Sequence, residues 1–336
     1  METSPAISII LPLYNGEAFV QQTIESILNQ SFEYFELIII NDASTDKSKE
    51  IVLSFQDKRI RYIENESNMG ISKTLNRGID LCCGKYIARI DADDVCMPDR
   101  LKTQWEFLEK NPAIGLCGSW AIVIDENNKA IGKIINQTDP KFISIALLFS
   151  VPLIHPSVCC KTSILKQYKY ADIPLIEDYD IWCRMSKTTQ MANIPKFLLK
   201  YRWHTNNISK GKNFVLRSDK IAVKQQIAKL GLFPDDEAFR IHQLSFNLST
   251  LNNSSGILSE TDLYASDAWF SQLLSANKRK KIYDQEAFTA FLWGRWIVLC
   301  IQCKQKRKIF TPSFASWHPK TLYYVWKQIR LLSRKI

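Results

Sequence analysis

Glycine and proline are scarce here, 11 and 12 among 336 residues, with no internal repeat and no low-complexity stretch. A collagenous or disordered chain is therefore excluded, and 46% hydrophobic with 23% charged residues is the balance of a folded globular protein. The sequence contains neither GxGxxG nor GxxxxGK[ST], which argues against a dinucleotide dehydrogenase and a P-loop NTPase. No run of 18 uninterrupted apolar residues is present, so no transmembrane helix is expected. The first five residues lack a basic n-region, so no secretory signal is expected either. Nine Cys at irregular spacing form no disulfide framework, and the odd count favours reduced thiols in the cytoplasm. Cys300 and Cys303 make a lone CxxC without a second pair or a nearby His, so no zinc site is expected there.

The net charge of +10 is unevenly placed. Residues 277–336 hold 14 Lys and Arg against Asp284 and Glu286, a net of +12, and the rest of the chain carries −2. The basicity thus belongs to a C-terminal segment and points to an anionic partner for it.

The N-terminal half alternates between two periods. Ile7–Leu13 is a continuous apolar run, as in a strand buried on both faces, and it ends at the turn Tyr14-Asn15-Gly16. Apolar residues at helical spacing follow over 17–29. Residues 35–40 form a second run, ended by Asn41-Asp42, after which Ser44 is placed to cap a helix over 45–55. A short strand over 60–63, a helix over 71–82 and a strand over 86–90 lead to Asp91-Ala92-Asp93-Asp94, and Pro98 opens a helix over 99–110. This alternation predicts a mostly parallel sheet with helices on both faces, and ligands of such sheets bind outside the strands' carboxyl ends. Asn15, Asp42, Asp91 and Asp93 all fall there. Beyond residue 112 the pattern reads as a mixed-sheet extension: strands over 114–124 and 129–135, a strand over 155–160, a helix over 176–187 and an extended stretch over 191–203. From about residue 211 the chain reads as helical, with a loose stretch at 252–256. The domain boundary is placed at 212, giving 1–212 and 213–336.

Four constellations could carry chemistry. Asp91 and Asp93, two residues apart at a strand end, can reach one hard divalent cation, or can form a solvated acidic turn. Asp42 can accept from a base or ribose edge, or can close an Asx-turn. In Glu177-Asp178-Tyr179-Asp180 the acids complement a helix N-terminus, and Asp178 can alternatively serve as a general base. His204 can donate to a phosphate or ligate the metal, or can be a plain loop histidine, and His155 has similar standing.

Taken jointly, these residues resemble the family 2 glycosyltransferases, which have the GT-A fold. The resemblance rests on Ile7-Ser8-Ile9-Ile10-Leu11-Pro12-Leu13-Tyr14-Asn15, Asn41-Asp42-Ala43-Ser44-Thr45-Asp46, Asn68-Met69-Gly70, Asn76-Arg77-Gly78 and Gly84-Lys85-Tyr86-Ile87. It continues through the DxD, Pro98-Asp99-Arg100-Leu101, His155-Pro156-Ser157, Glu177-Asp178 and Tyr201-Arg202-Trp203-His204, in the family's order, over residues 6–210. It implies inverting transfer of a sugar, hexosyl in type, from a nucleotide-diphosphate donor to an acceptor hydroxyl, with UDP as the family's habitual nucleotide. By this resemblance Pro12, Tyr14 and Asn15 line the nucleotide pocket. Asp42 binds the base with Arg77 beside it, and Asp91 and Asp93 hold Mn²⁺ or Mg²⁺ with the diphosphate. Asp178 is the catalytic base oriented by Glu177, and His204 lies on a loop closing over the diphosphate. Bacterial surface-polysaccharide synthesis is the commonest setting for such chains, with a glycan or lipid-linked saccharide as acceptor. The alternatives are a non-catalytic nucleotide-sugar-binding subunit and a nucleotidyltransferase.

Residues 288–303 are strongly apolar and precede a basic, Trp- and Tyr-rich end. That composition suits peripheral contact with a membrane at the cytoplasmic face, or an ordinary buried helix with a basic exit. No nucleic-acid-binding module is visible, so nucleic acid is not expected as a partner.

Overall fold

The computed structural model describes residues 4–173, 176–204, 212–245 and 259–332. The chain divides into two compact units, Met1–Thr138 with Pro152–Leu216, and Asp139–Val151 with Arg217–Ile336.

The first unit is built on one sheet. Its strands are β1 (Ile7–Leu13), β2 (Phe35–Asn41), β3 (Ile60–Glu64), β4 (Tyr86–Arg89), β5 (Val95–Cys96), β6 (Ile114–Ile124), β7 (Ala130–Ile134), β8 (Cys159–Lys161) and β9 (Gln190–Arg202). Their order is β3-β2-β1-β4-β8-β6-β9-β5, with β7 paired to β6. The helices in chain order are α1 (Val20–Leu28), α2 (Ser48–Leu53), α3 (Ile71–Leu81), α4 (Arg100–Lys110), α5 (Pro140–Ala146), α6 (Thr162–Tyr168), α7 (Glu177–Met185), α8 (Lys212–Lys229), α9 (Asp236–Leu244), α10 (Glu260–Lys280), α11 (Gln285–Gln302) and α12 (Pro319–Leu332).

Every residue of β1 and β2 is buried, as their unbroken apolar runs require. β1 pairs in parallel with both β2 and β4, and β2 with β3. The register sets Leu13 beside Asn41 and Ile10 beside Arg89, so three strands release their chains at one edge. The second half of the sheet is mixed: β8 is antiparallel to β4 and β6, while β9 runs parallel to β6 and antiparallel to β5.

Two local expectations are corrected, and one strand is added. Ser44 does not cap a helix: its hydroxyl donates to Asn41 Oδ1, and α2 starts at Ser48, whose N–H donates to Asp46 Oδ1 at 3.0 Å. The segment 155–160 is not all strand, because His155–Ser157 forms a 3₁₀ turn around Pro156 and pairing begins only at Cys159. β5, two residues long, carries too short a pattern to be read from sequence.

In the second unit the apolar run of 288–303 lies almost entirely in α11, with Phe288, Phe291, Leu292, Trp293, Trp296 and Leu299 buried. It is core of this unit. Phe142 and Phe149, from the segment Asp139–Val151, pack on Phe291. Among the described residues no helix is long and apolar enough to cross a membrane. The loose stretch expected at 252–256 lies outside the described residues.

Candidate active site

The loops after β1 and β2 are stitched together. Asn15 takes φ 48°, a left-handed conformation that asparagine tolerates, and its Oδ1 accepts from the Thr45 N–H at 2.8 Å. The N–H groups of Asn15 and Gly16 donate to the hydroxyls of Ser44 and Ser48, and the Glu17 N–H donates to Asp46. Tyr14 is left exposed at this rim, whereas Pro12 is buried within β1.

Asp42 follows β2, and its N–H donates to Leu13 O at 2.7 Å. Its carboxylate is buried and engaged on both oxygens. Oδ1 accepts from Asn65 Nδ2 at 2.6 Å and the Met69 N–H at 2.9 Å, and Oδ2 accepts from the Gly70 N–H at 2.9 Å. Asp42 thus anchors the segment entering α3, where Gly70 takes φ 81°. Arg77 of α3 joins the same cluster through Asn65 Oδ1 and Glu64 O.

Past β4 the acids converge. Asp91, Asp93 and Asp94 each offer a carboxylate oxygen, all within 4.8 Å of one another. Arg89, the last residue of β4, is buried and grips Asp91, with Nη1 donating to Oδ2 at 2.8 Å. Burial pushes Asp91 up to about 6; Arg89 opposes that, and the charges of Asp93 and Glu177 add to it. Asp94 is pushed well above the carboxylate range by burial and by the charges of Asp93 and Asp91. Its Oδ1 accepts from the Arg202 N–H at 2.8 Å, and its Oδ2 is buried without a hydrogen-bond partner among the described residues. Three clustered carboxylates with an unsatisfied oxygen among them fit a hard divalent cation such as Mg²⁺ or Mn²⁺, not a soft metal. His204 Nε2 lies 2.9 Å from Asp93 Oδ2, and its ring packs 5.2 Å from that of Phe19. The segment that follows His204, where a closing loop was expected, lies outside the described residues.

Arg202 ends β9 and is buried against this turn. Its Nε donates to Asp93 O at 2.7 Å, Nη1 to Asp125 O and Glu126 O, and Nη2 to Gln22 and Asn128. The guanidinium also lies 4.5 Å over the Phe19 ring. Neither Arg202 nor Arg89 is assigned a role by the motifs of the sequence. For Arg89 the available signal is an arginine at the end of the otherwise apolar strand β4, where burial demands partners.

Glu177 and Asp178 open α7. Asp178 Oδ1 accepts from the Tyr179 N–H at 2.7 Å. Among the described residues Glu177 Oε2 is buried without a hydrogen-bond partner, as is Arg89 Nε. Asp180 is occupied by Arg184 at 2.8 Å. His155 is buried, with Nε2 2.9 Å from the Tyr170 hydroxyl. Burial, reinforced by the Arg89 charge, holds its imidazole well below the usual range, so it stays neutral at pH 7. Burial raises the Tyr170 hydroxyl, and the charges of Asp178 and Glu177 act in the same direction. The start of α7 is therefore in electrostatic reach of both the acid cluster and the His155–Tyr170 pair.

Comparison with known proteins bears on this arrangement. The sequence model of Glycosyl transferase family 2 matches residues 8–173, the span from β1 past the acid cluster. An uncharacterized glycosyltransferase of Methanocaldococcus jannaschii is 40% identical over 210 residues, 59% of this chain and 71% of that one. The chain belongs to glycosyl transferase family 2. Within that family it is also similar to the UDP-Glc:alpha-D-GlcNAc-diphosphoundecaprenol beta-1,3-glucosyltransferase WfgD of Escherichia coli, 28% identical over 240 residues, 71% of this chain and 90% of that one. Among solved structures, S. aureus TarS 1-349 in complex with UDP-GlcNAc superposes with a TM-score of 0.57 at 15% identity, over 90% of each chain. At that identity the likeness speaks to fold, and the fold of this family 2 glycosyltransferase is GT-A.

Proposed function

We propose that this glycosyltransferase moves a hexosyl unit from a UDP-sugar to an acceptor hydroxyl, with inversion, in the assembly of a bacterial surface polysaccharide. The acid cluster Asp91, Asp93 and Asp94 at the carboxyl end of β4 carries this reading. The similarity to WfgD, whose name specifies a UDP-sugar donor and a diphosphoundecaprenol-linked acceptor, supports the donor class and a lipid-linked saccharide acceptor. Such an acceptor places the work at the inner face of the cell membrane.

Pro12, Tyr14 and Asn15 line the nucleotide pocket on one side. Asp42 and Arg77 complete it by fixing the Asn65–Met69–Gly70 segment. Asp91 and Asp93 hold the divalent cation, with Asp94 behind them and His204 against Asp93. When bound, the cation supplies Lewis-acid neutralisation of charge on the departing diphosphate. Arg89 keeps Asp91 anionic despite its recessed position. Asp178 takes the proton of the acceptor hydroxyl as the oxygen attacks, and Glu177 orients it.

The test is Asp178→Asn, nearly isosteric and still able to accept from the Tyr179 N–H. Transfer should fall by about 10²–10⁴-fold. Donor affinity, measured by calorimetry with UDP-sugar, should stay unchanged, since an interaction confined to the transition state is lost. Weak donor binding with normal turnover at saturation would make Asp178 a binding residue. The base would then be sought at Glu177, because Asp180 is committed to Arg184.

A further inference from the structure

Helix α12 buries one side and exposes a large apolar face on the other. Thr321, Tyr324, Val325 and Gln328 are buried within the second unit. On the opposite side Leu322 is 39% exposed, Tyr323 53%, Trp326 53% and Ile329 44%. At helical spacing Leu322, Trp326 and Ile329 share one line, with Tyr323 on its flank. Large apolar side chains grouped in this way are a recognition surface rather than scattered exposure. Basic residues run along the margin: the Lys327 ammonium lies 4.8 Å over the Tyr323 ring, and the Arg330 guanidinium lies 5.4 Å over that of Trp326. No Asp or Glu occurs in the 50 residues after Glu286; the carboxylates beside the helix are Asp284 and Glu286, which pair with Lys320, and Asp139, 3.8 Å from the Lys327 ammonium.

We propose that this face of α12 lies in the interfacial layer of an anionic phospholipid bilayer, with the helix axis along the surface. Leu322, Trp326 and Ile329 enter the acyl boundary, Tyr323 sits at headgroup depth, and Lys327 and Arg330 meet anionic headgroups, whereas Lys320 is paired with Asp284 and Glu286. Charge decides the occupant. A second copy would bring the same positive margin against itself, whereas an anionic leaflet attracts each Lys and Arg near its surface. The contact is peripheral, because α11, the apolar helix beside it, is spent on core. The proposal rests on the glycosyltransferase reading only for its purpose, which is to hold the enzyme where a lipid-linked acceptor lies.

The experiment is flotation of the full-length protein, without donor, on vesicles of phosphatidylcholine alone or mixed about three to one with phosphatidylglycerol. Native protein should float with the mixed vesicles at low salt and little with phosphatidylcholine. Combined Leu322→Ser, Trp326→Ser and Ile329→Ser should weaken partitioning by about tenfold or more, with an unchanged unfolding transition and unchanged transfer to a soluble acceptor analogue. Should the triple variant unfold, Trp326→Ser alone provides the reading by the same loss in smaller measure. Failure of the native protein to float, or variants that float as it does, would overturn the proposal. So would concentration-dependent self-association that the same substitutions abolish, which would make a second copy the occupant. Loss of transfer with flotation intact counts against the proposed function and not against this surface.

Discussion

Arg202→Met isolates the device that shapes the acid cluster. Methionine keeps a comparable unbranched stem but removes the guanidinium, which lies over the Phe19 ring and serves Asp93 O, Asp125 O, Glu126 O, Gln22 and Asn128. A buried acceptor left without its donor costs about 1–3 kcal/mol. The five losses do not add, because Gln22 and Asn128 can turn to other partners and the outer carbonyls can take water. With about two of these acceptors left unpaired, the expected destabilisation of the first unit is about 3–5 kcal/mol. For a unit of this size that lowers its unfolding midpoint by roughly 10 °C. Arg202→Lys should recover less than half, because an ammonium cannot reproduce the fork that spans these partners. Thermal unfolding followed by circular dichroism measures the loss, and calorimetric titration with Mn²⁺ reports whether the Asp93 turn has loosened. A midpoint within about 2 °C of the native one would refute the clamp, since a shift that small corresponds to under about 1 kcal/mol.

Other perturbations reach different layers. A β-carbon on Gly84 would lie 2.6 Å from Ser8 N and 2.8 Å from the Ile7 carbonyl carbon, both backbone atoms of β1. Gly84→Ala should therefore cost about 1–3 kcal/mol in denaturant titration, and an unmoved midpoint would show that β1 yields. His242 is buried between Leu148 O and Trp269 Nε1 and stacks on Phe149 at 4.4 Å; burial lowers it from 6.5 to about 4. The unfolded chain then binds its proton first as the solution is acidified. The second unit should be fully stable above about pH 6.5 and lose up to about 3 kcal/mol as pH falls toward 4. His242→Phe should flatten that slope, and an unchanged acid slope in the variant would assign it elsewhere. Asp93→Ala should weaken Mn²⁺ binding by about 10²-fold or more while the sheet still folds. Full transfer by the native protein in excess chelator would remove the cation from the proposed chemistry.

The strands of the catalytic half were legible because their signal is local. Ile7–Leu13 and the run after Phe35 are apolar without a break, and only a strand covered on both faces accommodates that. The acid cluster was legible for a related reason, since Asp91-Ala92-Asp93 follows a buried strand and has to emerge at the sheet's edge. Ser44 misled because capping chemistry and loop-stitching chemistry use the same hydroxyl. Whether it served the helix or Asn41 depended on the neighbouring loop.

By itself, then, the sequence determined the alternation of strands and helices from β1 to α4 apart from β5, the emergence of Asn15, Asp42, Asp91 and Asp93 at strand ends, and the separation of a basic C-terminal segment. These follow from periodicity, turn chemistry and composition, which act over a few residues. Tertiary structure alone decided which distant groups meet. It brought Arg202 onto the carbonyl of Asp93, 109 positions away, and His155 onto Tyr170. It sent Asp139–Val151 to pack with the C-terminal helices, and it buried α11 while leaving Leu322, Trp326 and Ile329 of α12 exposed. Burial and partner choice are properties of the closed surface rather than of any window of sequence. A buried arginine or an exposed tryptophan acquires its meaning only when the elements around it have packed.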